Sequence, residues 1–384
     1  MRIGINTLFL SPGKVGGTET YVRGLLYGLS RVDKANEYIL FTNEENHDAF
    51  DVDTRQFSRK CCSVSARSKL ARIAYEQMFL PKLAGQSSVD VLHSPGYVSP
   101  LTGNYAKVVT IHDMQYVYYP HYFPRMKLLY WKYVLPASAR RSDIVITVSK
   151  HSKKDIVDLL SIPEDKIVVT YEASKFSRDL ANADSLPNVT EKHDIRGNYI
   201  LSVASLLPHK NLDKLVAAFA LLEDKIDHQL VLVGLKAYGL NPVKEMIQNK
   251  LKRPDRVIVP GYVSDPDLES LYRKAGLFVL PSLFEGFGIP LLEAMALGCP
   301  VAASNRTSIP EVVGNAGVLF NPDTPEQIAE AIFSVLSDKA LRDRLIAEGY
   351  QRARLFSWEK MAKETIGAYS VASELFQKKK CAVR

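Results

Sequence analysis

Residues 280–298 read LPSLFEGFGIPLLEAMALG. The apolar run Leu277–Leu280 has the length and composition of a buried strand, and Pro290 marks the first turn of a helix starting near Ile289. Between them, Gly286 and Gly288 leave backbone N–H groups uncovered and let a ligand come close to the chain. The helix start adds unpaired N–H groups and a positive dipole end, which favour an anion. Glu285 and Glu293 stand on either side of this turn, and carboxylates are good acceptors for vicinal hydroxyls. The stretch suits an elongated ligand with a sugar at one end, a diphosphate in the middle and a ribose at the other. The competing reading is an ordinary glycine turn before an amphipathic helix, with both glutamates in solvent.

The same strand–turn–helix alternation runs along most of the chain. Strands are expected at Ile3–Asn6, Tyr38–Thr42, Val89–His93, Val108–His112, Ile144–Val148 and Ile167–Thr170. A second series is expected at Ile200–Ala204, Leu230–Gly234, Val257–Val259, Leu277–Leu280, Val301–Ala303 and Val318–Phe320. Nearly continuous apolar strands spaced by helix-length segments imply parallel sheets covered on both faces. Two series imply two Rossmann-like α/β domains, which suits 384 residues better than one core. The expected division is 1–172, a polar linker at 173–198, 199–356, and a terminal helix at 357–384 that packs across the junction. Thr324-Pro325-Glu326-Gln327 reads as a capping box with Pro at the first helical position, followed by a buried stripe of Ile328, Ala331, Ile332, Val335 and Leu336. No short repeat is present.

Composition narrows the class. Apolar residues make up 46% and charged residues 24%, as in ordinary globular chains, and no run is long enough to span a bilayer. MRIGINTLFL is interrupted by Asn6 and Thr7 and lacks a small-residue cleavage site, so it reads as a first strand rather than a leader. Cys61, Cys62, Cys299 and Cys381 fit neither a zinc spacing nor a disulfide framework, which points to a reducing cytoplasm. The net charge of +7 is concentrated in residues 55–82 and 121–154, where cations alternate with aromatic and aliphatic residues. Such a surface suits anionic lipid headgroups, each cation contributing roughly 1 kcal/mol. Ordinary solvated helix faces are the equal alternative. No nucleic-acid motif accompanies the charge, so nucleic acid is not an expected partner.

Two further segments bear on chemistry. Gly13–Tyr21, GKVGGTETY, follows the first strand and opens a helix; its spacing is not that of the dinucleotide fingerprint G-x-G-x-x-G. Gly16 and Gly17 nevertheless form an anion-favouring loop at a sheet edge. His112 and Asp113 close the stretch KVVTIHD, at the carboxyl edge where open α/β sheets place ligands. A strand-end histidine satisfied by a nearby backbone carbonyl is the plain alternative.

EGFGIPLLE resembles the E-x7-E signature of retaining glycosyltransferases of family 4, which have the two-domain GT-B architecture. The resemblance extends through GYVSDPDLESLYRKA, EAMALGCPVAAS and IPEVVGNAG, and more loosely through the first half. It implies two Rossmann-like domains with a cleft between them and donor binding in the second. Glu285 would hold hydroxyls of the transferred sugar, Gly286, Phe287, Gly288 and Ile289 would line the donor with their amides, and Glu293 would hold the ribose. In LSVASLLPHKN, residues 201–211, Lys210 falls where relatives place a lysine on the donor diphosphate, offsetting charge on the leaving group. Where many relatives have an arginine after the strand this chain has Ser205, and their second basic residue is His209 here. Gly16 and Gly17 would lie near the donor phosphates or the acceptor, His112 would orient the transferred sugar, and Asp113 would support the site or acceptor. Tyr262 and Val263, at a strand end, would sit near the nucleobase, with core packing as the alternative.

The expected function is therefore transfer of a hexose with retention of configuration, with Glu285, His112, Lys210 and Asp113 as the catalytic set. No metal ion or other cofactor is expected, since the nucleotide-sugar is a co-substrate and no convincing D-x-D occurs; DVD at 51–53 lies in a polar loop and DPD at 265–267 reads as a helix start. The stretches LPHKNL and SIPEVVGNAG look most like bacterial polysaccharide mannosyltransferases, so GDP-mannose is the first expectation and UDP-glucose an open one. The acceptor is expected to be a glycan or lipid-linked oligosaccharide, met in the cytoplasm or at the inner face of its membrane. A GT-B-like sugar-nucleotide epimerase and a nicotinamide-dependent oxidoreductase are the rivals.

Overall fold

The computed structural model describes residues 1–13, 16–52, 55–176, 187–234 and 240–382. They form two units, Met1–Glu172 with Ser357–Arg384, and Ala173–Phe356.

The first unit is a seven-stranded sheet, every neighbouring pair parallel. Its strands are β1 (Arg2–Asn6), β2 (Glu37–Thr42), β3 (Phe57–Cys61), β4 (Val91–Ser94), β5 (Ala106–Thr110), β6 (Ile144–Thr147) and β7 (Ile167–Val169), in the order β3-β2-β1-β4-β5-β6-β7. β3 was not expected. Its sequence, FSRKC, has one apolar residue at its start and sits at the sheet edge, where a single covered face needs no continuous apolar run. The central strands β4, β5 and β6 are buried throughout.

The second unit repeats the plan with six parallel strands: β8 (Asn198–Val203), β9 (His228–Val233), β10 (Val257–Gly261), β11 (Leu277–Leu280), β12 (Val301–Ser304) and β13 (Val318–Phe320), ordered β10-β9-β8-β11-β12-β13. In both sheets the order reverses once, between β1 and β4 and between β8 and β11. Loops leaving the carboxyl ends of those two strands diverge to opposite faces and open a crevice, the usual ligand position in such sheets.

The C-terminal helix Trp358–Ala382 belongs to the first unit. Gly24 and Gly28, on the helix Gly17–Val32, form its seat: a Cβ on Gly24 would stand 2.3 Å from the Trp358 ring, and one on Gly28 2.2 Å from the Trp358 carbonyl oxygen. Further along, Lys379 pairs with Asp143 at 2.7 Å.

The stretch expected to act as a linker is only partly described, because residues 177–186 lie outside the described residues. What precedes and follows them is tied to the second unit. Lys175 pairs with Asp265, Lys192 Nζ lies 2.6 Å from Asp267, and Ser270 Oγ donates to the Pro187 carbonyl at 3.0 Å. A short helix, Val189–Lys192, falls inside it.

DPD at 265–267 does begin a helix, Asp265–Lys274, with Ser264 Oγ capping the Asp267 N–H. DVD at 51–53 ends on Asp53, outside the described residues. Thr324 occupies the N-cap of the helix Pro325–Ser337, but its side chain makes no capping bond, and the Gln327 side-chain oxygen Oε1 accepts from the Asn321 N–H at 3.4 Å. The expected capping box is thus replaced by a bond one turn earlier, while Ile328, Ala331, Ile332 and Val335 of the predicted apolar stripe are buried and Leu336 is partly buried.

Candidate functional site

The crevice of the second unit is built from the loop after β8 and the loop after β11. The two are stitched together by backbone, with Leu283 N–H donating to the His209 carbonyl at 2.7 Å. Asn211, left-handed at φ 58°, sends its amide to the carbonyls of Pro281 at 3.1 Å and Pro322 at 2.8 Å. Asparagine tolerates that conformation better than most residues, and here it fixes Lys210 just before the helix Leu212–Ala220.

Lys210 Nζ lies 2.7 and 2.8 Å from the two carboxylate oxygens of Glu285. Ser282 Oγ donates to the same carboxylate at 2.7 Å. The Glu285 backbone is held as firmly as its side chain. Its N–H donates to Thr307 Oγ1 at 3.1 Å, and Ser308 Oγ lies 2.9 Å from the carbonyls of both Glu285 and Phe287. Ser282, Asn211, Thr307 and Ser308 are supporting residues that the sequence reading missed. A polar residue directly after a buried strand, as in LPS, was the available signal for Ser282. Thr307 and Ser308 lie beyond β12 and gave none.

The glycine turn follows. Gly288, at φ 111°, is the N-cap of the helix Ile289–Ala296, and that backbone conformation suits glycine alone. Phe287 and Ile289 are buried beneath it, so the turn is anchored from below while Gly286 is partly exposed. Glu293, one turn into the helix, is 5% exposed and accepts from the Tyr272 hydroxyl at 3.1 Å. Burial pushes its carboxyl up to about 7, against the partial relief of Lys175 and the Tyr272 bond.

The remaining donor-side residues differ in setting. Ser205 is exposed just past β8. His209 is buried, and burial first and the Lys210 charge second bring its imidazole down to about 4. It is a neutral ring near pH 7, so Lys210 carries the charge of this loop. Tyr262 is 71% exposed directly after β10, which excludes core packing for it, whereas Val263 is 6% exposed and is core.

In the first unit, His112 and Asp113 stand two and three residues beyond the end of β5, rather than within it. His112 Nε2 lies 2.9 Å from the Pro95 carbonyl, which can only accept, so that nitrogen carries the hydrogen. Nδ1 is left as the accepting nitrogen, with Glu172 Oε1 3.8 Å away. Burial lowers this imidazole to about 4, and the rings of Tyr21 and Tyr97 pack on it at 4.8 and 5.3 Å. Pro95 follows β4, so His112 is held at the reversal point of the sheet. Asp113 uses one carboxylate oxygen on the Gln115 N–H at 2.9 Å and the other on the Tyr97 hydroxyl at 3.2 Å, a local structural role. Gly16, at φ 63°, is the N-cap of the helix Gly17–Val32 and Gly17 its first residue; Lys14 and Val15 lie outside the described residues.

Beneath His112 runs a buried chain that the sequence did not reveal. The Tyr369 hydroxyl meets His93 Nδ1 at 2.7 Å, His93 Nε2 meets Thr110 Oγ1 at 2.8 Å, and Thr110 Oγ1 meets the Tyr21 hydroxyl at 3.1 Å. It joins the C-terminal helix to the ring that packs against His112.

Among the described residues no helix is long and apolar enough to cross a membrane, and no three His, Cys, Asp or Glu side chains cluster as metal ligands would.

Residues 188–352 match the family model described as glycosyl transferases group 1, and residues 15–173 match glycosyltransferase family 4. An O-antigen chain mannosyltransferase B of Escherichia coli is 35% identical over 285 residues, covering 73% of this chain and 74% of that one. The serotype-specific mannosyltransferase WbdA of Escherichia coli is 30% identical over 61% of this chain, but the match spans only 29% of its own length. Among solved structures, the sucrose-phosphate synthase of Thermosynechococcus elongatus superposes with a TM-score of 0.77 over 96% of this chain and 98% of that one, at 20% identity. That likeness shows the fold, GT-B with two Rossmann-like domains.

Proposed function

The chain belongs to the family 4, group 1 glycosyltransferases, and we propose that it moves a mannosyl group from GDP-mannose onto a glycan or lipid-linked oligosaccharide, retaining anomeric configuration and using no metal ion. The observation that carries the reading is the Lys210–Glu285 contact at the sheet reversal, beside the N-terminus of the helix Ile289–Ala296. It brings a cation, a hydroxyl-binding carboxylate and the positive end of a helix to one crevice. A nucleotide-sugar needs all three. Similarity to the Escherichia coli mannosyltransferases supports mannose and polysaccharide assembly.

In this reading the diphosphate takes over Lys210 and the amides of the glycine turn, and the sugar hydroxyls take over the oxygens of Glu285. As the bond between the anomeric carbon and the leaving phosphate oxygen breaks, charge gathers on that oxygen, where Lys210 and the helix start offset it. The acceptor oxygen bonds to the anomeric carbon on the same face, and its proton passes to the leaving phosphate. Glu293 accepts from the ribose hydroxyls, and Ser205 and Tyr262 lie on the nucleoside side. In the first unit, His112 offers Nδ1 to a substrate hydroxyl and Gly16 and Gly17 face substrate, while Asp113 supports the site through its bond from the Tyr97 hydroxyl. A lipid-linked acceptor places the enzyme at the inner face of the cytoplasmic membrane.

The test is release of nucleoside diphosphate from a panel of nucleotide-sugars, with and without EDTA, for the wild type and Glu285→Ala. GDP release from GDP-mannose, unchanged by EDTA and lost in the variant, is expected. Release from another donor alone would replace mannose, and an isomerised donor without transfer would mean an epimerase. Trapping a glycosyl group on Glu285 would overturn the same-face mechanism.

A further inference from the structure

The first unit carries an apolar face that its own fold leaves uncovered. In the helix Arg125–Arg141, Leu128, Trp131 and Leu135 pack into the core, while Met126, Leu129 and Tyr133 are 71%, 52% and 62% exposed. Both sets have the i, i+3, i+7 spacing of a single helix side, so this helix is apolar on two sides. A surface helix ordinarily turns a polar side to water. The helix Lys69–Met78 departs from the rule in the same way: Leu70 and Met78, two turns apart, are 76% and 64% exposed, and the adjoining Phe79 is 55% exposed.

The two segments themselves carry almost only positive charge, although Arg67 pairs with Glu45 at 3.8 Å. Residues 120–142 contain no acid. In residues 66–89 the one acid, Glu76, is buried and paired with Arg72 at 3.1 Å. Arg67, Lys69, Arg125 and Lys132 are exposed among the apolar side chains. Lys127 joins the two helices: its ammonium stands 4.1 Å from the Trp131 ring centroid, and the charges of Lys69, Arg72 and, in the opposite sense, Asp113 are close enough to act on it.

We propose that this face, formed by the helices Lys69–Met78 and Arg125–Arg141, rests on a bilayer surface containing anionic lipids. The exposed aliphatic and aromatic side chains enter the boundary between headgroups and acyl chains, and the flanking cations meet the headgroups. A nucleic acid would engage the cations but leave Leu70, Met126 and Leu129 in water, because phosphate contacts bury no apolar surface. The surface gives location to the lipid-linked acceptor proposed above and rests on that reading for its purpose, though not for the binding itself.

The test is flotation of the purified full chain with phosphatidylcholine vesicles, with and without phosphatidylglycerol. Binding is expected only with the anionic lipid and falls as salt rises. Two double variants, Met126→Glu with Leu129→Glu and Leu70→Glu with Met78→Glu, should each bind at least about tenfold less while keeping the wild-type thermal unfolding and donor hydrolysis. Phe333→Glu, at a 41% exposed position of the second unit, should bind as the wild type does. Failure of the wild type to float with anionic vesicles at low salt, or wild-type binding by both double variants, overturns the proposal. Retention on nucleic acid that the same double variants do not change, with no flotation, would assign the cations to that partner instead. Vesicle binding without hydrolysis of any donor would sink the catalytic reading and leave this one standing.

Discussion

Lys210 and Glu285 come from loops 75 residues apart and meet at 2.7 Å where the second sheet reverses its strand order. Each is partly exposed, 18% and 13% by side chain, so the pair is reachable from solvent. The contact keeps a cation and a carboxylate in register before any substrate arrives. A group meant to offset charge in a transition state gains most from being fixed in advance.

Lys210→Ala should therefore lower kcat by about 10²–10³-fold, the cost of losing one preorganised donor to developing charge. Lys210→Arg should recover part of that loss. Steady-state kinetics with the active donor checks it; a fall confined to KM would mean that Lys210 serves binding alone.

Glu293 gives a pH dependence whose sign can be worked out. Its folded-state carboxyl is raised from 4.5 to about 7, so between those values the folded chain holds a proton that the unfolded chain has released. Stability contributed by the protonated form is complete below 4.5 and lost as pH rises through 7, by about 3 kcal/mol at most. Glu293→Gln should unfold at a higher temperature than the wild type at pH 8 and at a similar one at pH 4. Donor affinity should run the other way, because the ribose needs the carboxylate: it should improve as pH rises through 7 in the wild type and stay flat in the variant. Calorimetry and donor titration across that range read both.

His93 and His112 are held neutral by burial, at about 3 and about 4, below the 6.5 of an exposed imidazole. The unfolded chain binds protons first on acidification, so their stabilising contribution is present above 6.5 and is lost as pH falls from there toward 3. His93→Gln should flatten the pH dependence of urea unfolding in that window. Tyr369→Phe, which removes the hydroxyl on His93 Nδ1, should cost about 1–3 kcal/mol for the buried partner left unmet.

Gly28→Ala tests the seat of the C-terminal helix. The new methyl would stand 2.2 Å from a backbone oxygen of Trp358, which cannot rotate away as a side chain could. A loss of about 1–3 kcal/mol is expected, with limited proteolysis releasing residues beyond 357 sooner than in the wild type. Unchanged proteolysis would show that the two helices separate without strain.

How much of this was legible beforehand varies by element. β11 and β13 were read to the residue because Leu277–Leu280 and Val318–Phe320 are short apolar runs with clear punctuation. β3 escaped because an edge strand need not be apolar, and the Thr324 cap failed because a hydroxyl at the right spacing still has to turn toward the helix. Glu285, Gly288 and Glu293 stood out because glycines, a proline and two carboxylates near a strand end carry local meaning. Ser282 gave a faint signal. Asn211, Thr307 and Ser308 gave none, since their partners are distant in the chain.

The sequence by itself determined the class of fold, two parallel α/β sheets, and the loop that presents Glu285, because strand periodicity, glycine conformation and helix starts are set by neighbours within a few residues. Only the tertiary structure decided that Lys210 pairs with Glu285, that His209 and His112 are neutral, that Glu293 carries a raised carboxyl, and that Tyr369 reaches His93. Those properties depend on which groups burial removes from water and which distant groups then stand within hydrogen-bond reach, and neither is encoded in local spacing.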